Sequence, residues 1–313
     1  MNIWAIREKS GVLESASGEP VQLTAGPMSF SSPLPSRDGK KLFAIGTQSH
    51  GELAHYDFKL RQFTPYLSGI SADQLDFSRD GQWVAYSSYP EGSLWRSRMD
   101  GTQKLQLTFP PMRINNPRWS PDAKSILFTG SRSGGVWKMY MVSAQGGTPR
   151  QVISDEGSEF WADWSPDGNS VVFDSLPSED KDESIHVTDL NSHRSTPLAE
   201  SAGLIHPRWS RLGRYIAAKR QRDSKLVVFD FTIQRWKELT DIPTDNYNWS
   251  HDDRYVYFKS PAGDETALYR IPLEDRKLER IINLKDIRRT GNLGPWVGLT
   301  WDLGLALHLM TLL

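Results

Sequence analysis

Few residue pairs in this chain stand at spacings that chemistry demands. His50 and His55, bracketing Gly51-Glu52-Leu53-Ala54, come nearest to a metal-binding pair. A helical zinc motif sets its two histidines four apart on one face; here the interval is five and the composition is that of a strand hairpin. The remaining histidines, His186, His193, His206, His251 and His308, are scattered. Carboxylates crowd at Glu179-Asp180-Lys181-Asp182-Glu183. A calcium loop needs carboxylates at alternate positions and a glycine at its sharp turn, so residues 175–184 read as a solvated loop tip. No Gly-x-Ser-x-Gly elbow presents a serine nucleophile, and no glycine-rich turn joins a strand to a helix to cradle phosphate. The chain has no cysteine, which removes disulfides, thiolate catalysis and Cys-ligated zinc. The expectation is no catalytic residue, no metal site and no cofactor.

What does recur is a corner. Trp164-Ser165-Pro166-Asp167-Gly168 ends one apolar run and Val171-Val172-Phe173 begins the next. Proline presets the turn, aspartate bonds its own backbone and glycine takes the positive φ. Variants open at Ser36, Ser78, Ser120, Ser210, Ser250 and, in worn form, Thr300; successive intervals are 42, 42, 45, 45, 40 and 50. An aromatic precedes five of these anchors: Phe77, Trp119, Trp164, Trp209 and Trp249. After each corner come a second β-rich run, a third, and a shorter, more polar fourth. Four strands per period of about 40–50 residues is the arithmetic of a propeller blade. No stretch sustains the three- and four-residue apolar spacing of a helical repeat.

The repeat also ranks residues by place. Four before each anchor stand Ser32, Gln74, Asn116, Trp161, His206, Asn246 and Trp296. In a propeller this position faces one mouth of the central channel. The set is polar and aromatic without dominant charge, suited to hydrogen bonding and stacking with a peptide, a sugar or another small ligand. Gln74, Asn116, Trp161, His206, Asn246 and Trp296 are therefore the binding candidates. Two before each anchor stand Leu34, Asp76, Arg118, Asp163, Arg208, Asn248 and Gly298. Signs alternate over four consecutive repeats, which predicts inter-blade ion pairs Asp76–Arg118, Arg118–Asp163 and Asp163–Arg208 that set register rather than add stability.

These corners resemble the bacterial TolB-type propeller repeat, also called the WD40-like or PD40 repeat: an aromatic, then Ser-Pro-Asp-Gly, then an apolar strand. The clearest copies are Trp119-Ser120-Pro121-Asp122-Ala123 and Trp164-Ser165-Pro166-Asp167-Gly168. The resemblance implies an all-β propeller and a binding or scaffolding role, as in TolB-like proteins and in sensory modules of larger regulators. The same family implies an alternative. Related propellers cap prolyl oligopeptidase-type peptidases, and a few are metal-dependent sugar lyases. Ser210-Arg211-Leu212-Gly213 and Ser250-His251-Asp252-Asp253 depart from the pattern, so their turn chemistry is weaker.

The fold expectation is one propeller domain over residues 1–313 with seven four-stranded blades. Six are complete. The seventh joins Asn2–Ile6 and Glu19–Thr24 to Pro295–Thr300 and Leu305–Leu309, with Ile3–Ile6 paired to Leu305–Leu309; an open fragment or a ring of six to eight blades is the alternative. Net charge is −1 in 313 residues, so no general attraction to nucleic acid or anionic membrane follows. The basic stretch Lys277–Arg289 lacks interleaved aromatics and reads as a solvated connection with room for one helical turn. No run is long enough for a membrane span, and Met1–Ile6 has no signal-peptide pattern. The chain as it stands reads as a cytoplasmic monomer; a lost upstream segment would open the periplasm. Its expected partner is a protein or peptide, or a small ligand at the channel mouth.

Overall fold

The corner works as a latch of one side chain on two backbones. Ser165 Oγ donates to Asp167 Oδ1 at 2.6 Å and accepts from the Ser170 N–H at 2.9 Å, while Asp167 Oδ1 also accepts from the Asn169 N–H. Gly168 closes the turn at φ 75°. The same Ser-to-Asp bond forms at Ser36, Ser78, Ser120 and Ser250. Because each latch fixes where the second strand leaves, the apolar run after it pairs in register with the strand before it.

The computed structural model describes residues 2–6, 19–26, 28–47, 49–57, 60, 62–132, 135–153, 157–176, 182–260, 266–284, 296–299 and 305–312. The fold is an all-β propeller. Five antiparallel sheets each take four consecutive strands. Blade 1 is Ala72–Phe77, Trp83–Ser88, Leu94–Arg98 and Leu105–Gln106. Blade 2 is Met112–Trp119, Ser125–Arg132, Lys138–Ser143 and Arg150–Gln151. Blade 3 is Ser158–Trp164, Ser170–Leu176, Ser184–Asp189 and Ser195–Pro197. Blade 4 is Leu204–Trp209, Tyr215–Arg220, Leu226–Asp230 and Arg235–Glu238. Blade 5 is Asp245–Trp249, Tyr255–Ser260, Ala267–Pro272 and Glu279–Asn283. In the stretch Lys277–Arg289, expected as a solvated connection with room for one helical turn, Glu279–Asn283 is an outer strand and Leu284 has 3₁₀ geometry; residues 285–289 lie outside the described set.

A sixth sheet is composite, in the order Trp296–Leu299, Leu305–Leu312, Ser49–Asp57, Gln62–Tyr66. Its innermost strand lies between Asp245–Trp249 of blade 5 and Ala72–Phe77 of blade 1. Among the described residues there are these five blades and the composite sheet rather than seven four-stranded blades, and the expected pairing of Ile3–Ile6 with Leu305–Leu309 is absent. Trp4–Ala5 pairs only with Val21–Gln22, while Leu305–Leu312 runs against Ser49–Asp57 over eight residue pairs. Length decides this: a two-residue strand cannot offer the ladder of an eight-residue partner. The hairpin Ser29–Pro35/Leu42–Thr47 stands as a two-stranded sheet of its own.

The core lies between sheets rather than within one. Ala85, Leu94, Ile114, Trp119 and Phe128 join blades 1 and 2. Val172, Ile185, Ile216, Ala218 and Phe229 join blades 3 and 4, and Ala217, Val228, Tyr247, Trp249 and Phe258 join blades 4 and 5. Burying a Val, Leu, Ile or Phe side chain contributes about 1.5–3 kcal/mol, so each blade is stable only against its neighbours.

The degenerate corners compensate one another. Ser210-Arg211-Leu212-Gly213 has leucine where the latch needs aspartate. Asp253, in the glycine place of the next corner at φ 55°, accepts the Arg211 and Leu212 N–H groups at 2.8 and 2.7 Å. A carboxylate from the neighbouring blade thus ties this corner down, through different groups from those that Asp167 holds in its own corner.

Candidate functional site

The residues four before the anchors share one backbone abnormality. Ser32, Asn116, Trp161, His206 and Asn246 all have positive φ, between 44° and 58°. L-residues other than Asn and Asp seldom adopt this conformation. Each sits where the first strand of its sheet slips register against the second: between Ser31 and Leu34, Asn115 and Arg118, Phe160 and Asp163, Ile205 and Arg208, and Asp245 and Tyr247. A bulge of this kind turns a side chain out of the sheet's alternation. In blade 1 the slip between Ala72 and Leu75 contains Gln74. Trp296 lies on the innermost strand of the composite sheet; its side chain is outside the described residues.

These side chains meet around the channel. Gln74 Oε1 accepts the Asn116 N–H, and Asn116 Nδ2 donates to the Ala162 carbonyl at 2.9 Å. Arg208 reaches from blade 4 to blade 2 and donates through Nη2 to Asn116 Oδ1 at 2.9 Å. The Trp161 and His206 rings are 4.2 Å apart, and the Arg208 guanidinium lies 5.8 Å from the Trp161 ring. The Tyr247 hydroxyl donates to the His206 carbonyl. Burial, with Lys219 and Arg208 nearby, drives the His206 pKa down to about 2, so its imidazole is neutral at any physiological pH. Asn246 joins the same mouth through its bulge.

Of the residues two before the anchors, Arg118 lies 3.3 Å from Asp76 and 3.9 Å from Asp163. No ion pair joins Asp163 to Arg208 among the described residues, because the Arg208 guanidinium turns to Asn116. The alternation of sign has a second basis in backbone bonding. Asp76 Oδ2 accepts the Trp119 N–H, and Asp163 Oδ2 accepts the Trp209 N–H, each from the next blade. Where the residue is arginine, its carbonyl instead accepts the next blade's indole: Trp164 Nε1 to Arg118 O, and Trp249 Nε1 to Arg208 O. Burial pushes the Asp76 carboxyl up against the pull of Arg118, while burial lowers Arg208 to about 10.

Sequence reasoning missed a second ring nine residues after the anchors: Ser87, Thr129, Asp174, Lys219 and Lys259. Thr129, Asp174, Lys219 and Lys259 pair with the residue just before each bulge, so they sit beside the mouth residues. Asp174 Oδ2 accepts the His206 N–H, while its buried Oδ1 has no partner. Burial raises the Asp174 pKa to about 7. Lys259 Nζ lies 2.7 Å from Asp245, and burial lowers Lys219. The signal was present: in blades 1 to 5 a polar residue follows the apolar second run at the same distance from its anchor, where the Ser36 repeat has Ile45. The assembly can stack a planar group on Trp161, donate and accept hydrogen bonds, and hold a carboxyl poised near neutrality. No group of three His, Asp or Glu that could hold a metal occurs among the described residues. The acidic run Glu179–Lys181 lies outside the described residues, as do the side chains of His55 and His308.

The family model for the TolB beta propeller domain matches residues 70–289. The chain belongs to this family. Among solved structures, this TolB-type propeller resembles a TolB-named protein from Agrobacterium tumefaciens, with TM-score 0.68 and 19% identity over 85% of this chain and 99% of that one. It also resembles TolB from Acinetobacter baumannii, with TM-score 0.59 and 17% identity over 85% and 80%. A third likeness is an oligogalacturonate lyase in complex with manganese, with TM-score 0.56 and 16% identity over 82% and 80%. Two relatives by sequence are the uncharacterized peptidase YuxL of Bacillus subtilis and the uncharacterized protein Atu1656 of Agrobacterium fabrum. They are 25% identical over 202 residues and 23% over 209, covering 61% and 66% of this chain. The chain spans 30% and 56% of those relatives' own lengths. No helix among the described residues is long and apolar enough to cross a membrane.

Proposed function

We propose that this TolB-type propeller is a non-catalytic binding scaffold, monomeric and one domain over residues 1–313. It holds a peptide, or a small neutral polar ligand, at the mouth formed by Trp161, His206 and Asn246; Gln74 and Asn116, expected there as binding residues, are buried and bonded to their neighbours instead. In this reading the composite sheet is the sixth blade and closes the ring, and the whole serves as the docking or sensory module of a regulator. The supporting observation is the repeated left-handed bulge. A non-glycine residue held there costs on the order of 1–3 kcal/mol, and the cost recurs at the same mouth in successive blades. A ring stiffened by inter-blade packing presents such groups with little entropy left to lose on binding. The neutral imidazole and the Trp161 face favour amide and other uncharged polar surfaces over phosphate.

The test starts from a random peptide display library selected on the intact protein, with affinities measured by calorimetry. Trp161→Ala weakens the selected peptides at least tenfold, and Lys104→Ala, at an exposed position of blade 1, leaves them unchanged. Peptides that bind equally to Trp161→Ala move the site elsewhere. The second reading, a propeller working within an enzyme, is favoured by the identity to a peptidase-named relative. Turnover of peptide or oligogalacturonate substrates by the intact chain would establish it and end the first.

A further inference from the structure

The hairpin Ser29–Pro35/Leu42–Thr47 is the odd member of the repeat. Its corner carries the full latch, Ser36 to Asp38, and its first strand has the bulge and the left-handed Ser32. Yet Leu34, Phe43 and Ile45 are 65%, 58% and 60% exposed. The residues that match Leu42, itself 44% exposed, in blades 1 to 4 are Val84, Ile126, Val171 and Ile216, and those that match Phe43 are Ala85, Leu127, Val172 and Ala217; all eight are wholly buried. The apolar run has everything a second blade strand needs except a third strand beside it.

That third strand exists and is occupied. Anchors Ser36 and Ser210 align, as do Asp57 and Asp230 at the ends of their third strands. Blade 4 pairs Tyr215 with Asp230, Ile216 with Phe229, Ala217 with Val228 and Ala218 with Val227. Carried over, that register pairs Leu42 with Tyr56, Phe43 with His55, Ala44 with Ala54 and Ile45 with Leu53. In the structure those partners belong to the C-terminal hairpin: Leu305 to Tyr56, Ala306 to His55, Leu307 to Ala54 and His308 to Leu53. The correspondence extends to the inner strands. Leu299 pairs with Leu305 as Pro35 pairs with Leu42.

We infer that the two strand pairs, Ser29–Pro35/Leu42–Thr47 and Trp296–Leu299/Leu305–Leu312, are alternative occupants of one blade position and exchange along the edge of Ser49–Asp57. The structure is the state with the C-terminal hairpin in place and the apolar face of residues 34–45 uncovered. In the other state the chain's own repeat completes the blade with Phe43 and Ile45 in its ladder, and the C-terminal hairpin is released. Each state removes the free sheet edge that the other leaves on the displaced hairpin, and each replaces one mouth residue by its counterpart, Trp296 by Ser32.

The absence of native cysteine makes the test direct. Residues opposite one another on antiparallel strands stand about 4.5–5.5 Å apart at Cα, within disulfide reach. The full chain carrying Ala44→Cys, Ala54→Cys and Leu307→Cys is equilibrated, dilute, in a glutathione redox buffer, alkylated and mapped by mass spectrometry. Both intramolecular disulfides, 44–54 and 54–307, are expected. Adding Leu309→Pro, which removes a ladder donor opposite Glu52, shifts their ratio at least threefold toward 44–54. One disulfide alone in both backgrounds, or a 44–54 bond only between chains, overturns the exchange. Should the triple variant fold poorly, the pairs Ala44→Cys/Ala54→Cys and Ala54→Cys/Leu307→Cys are run separately against Ala218→Cys/Val227→Cys, at the equivalent register in blade 4. Failure of either pair to close where blade 4 closes overturns it equally.

Discussion

The two ends of each inner strand obey opposite rules. At the corner end nearly every polar group answers to another within the repeat: serine to aspartate, aspartate to backbone, and Asp253 even to a neighbour's corner. At the bulge end the left-handed backbone falls on Ser32, Asn116, Trp161, His206 and Asn246 rather than mostly on glycine, and the buried polar atoms without a hydrogen bond are Asp174 Oδ1, Thr129 Oγ1 and Arg208 Nη1, against Trp119 Nε1 and Arg211 Nη1 at the corners. Unsatisfied buried groups are rare in native proteins and ask for a reason. The corner end behaves as joinery; the bulge end keeps donors and acceptors in reserve. Each substitution below sets one end against the other.

The largest effect belongs to the bulge end. Burial holds Asp174 near pKa 7 in the folded protein, against about 3.9 in an unfolded chain. The folded state therefore keeps a proton that the unfolded state has lost. Stability contributed at this residue is present below about pH 4, falls as pH rises to about 7 and is flat beyond. Asp174→Asn keeps an oxygen for the His206 N–H and removes the ionisation. The variant should match the native protein at pH 4 and exceed it by about 2–4 kcal/mol at pH 8, read from denaturant midpoints. Parallel stability curves for the two proteins across that window would mean that Asp174 has found a partner and that the two ends are alike.

At the corner end the sign reverses. Asp253→Ala strips two neighbouring N–H groups of their acceptor and should cost about 2 kcal/mol. Restoring both consensus residues, Leu212→Asp with Asp253→Gly, supplies a local carboxylate and a residue suited to positive φ. The double variant should recover part of the loss, because an aspartate at 212 would hold the Ser210 hydroxyl and the Arg214 N–H while the Arg211 and Leu212 N–H groups stay without Asp253. The coupling between the two sites, measured by a double-mutant cycle, should exceed 1 kcal/mol. Additive effects would show that Asp253 and a local aspartate do not hold the same corner.

The corners were legible because their chemistry is local: a turn of four residues advertises itself in four residues. The mouth was half legible. Counting back from Ser120, Ser165, Ser210 and Ser250 found Asn116, Trp161, His206 and Asn246, but not their left-handed backbone, which depends on a register slip against a second strand. Asp174, Lys219 and Lys259 escaped because a polar residue within an apolar run reads as a strand end. Arg208 was placed correctly and partnered wrongly. Charge alternation pointed to Asp163, whereas the reach of a guanidinium across the channel to Asn116 cannot be read from adjacent repeats. Ring closure was the plainest miss. Repeat arithmetic identified the terminal half-blades, yet the choice between Trp4–Ala5 and Ser49–Asp57 as partner turned on strand length, which composition did not reveal.

A smaller effect tests the repeated latch alone. Asp167→Ala leaves Ser165 to bond only forward and removes the acceptor for the Asn169 N–H; the Ser165 hydroxyl, the first of several donors here, keeps this carboxyl below its usual range. The loss should be about 1 kcal/mol, with peptide binding at the mouth unchanged. The smallest stability effect, and the sharpest contrast, comes from His206→Gly. Glycine adopts φ 58° without strain, which favours the variant by somewhat under 1–2 kcal/mol. Against this stand the lost ring contact with Trp161 and the extra freedom glycine gives the unfolded chain, about 0.5–1 kcal/mol. The terms nearly cancel, so the melting temperature should barely move while affinity for mouth-selected peptides falls at least tenfold. A large drop in stability with affinity preserved would make His206 a packing residue, and the bulge end would be joinery after all.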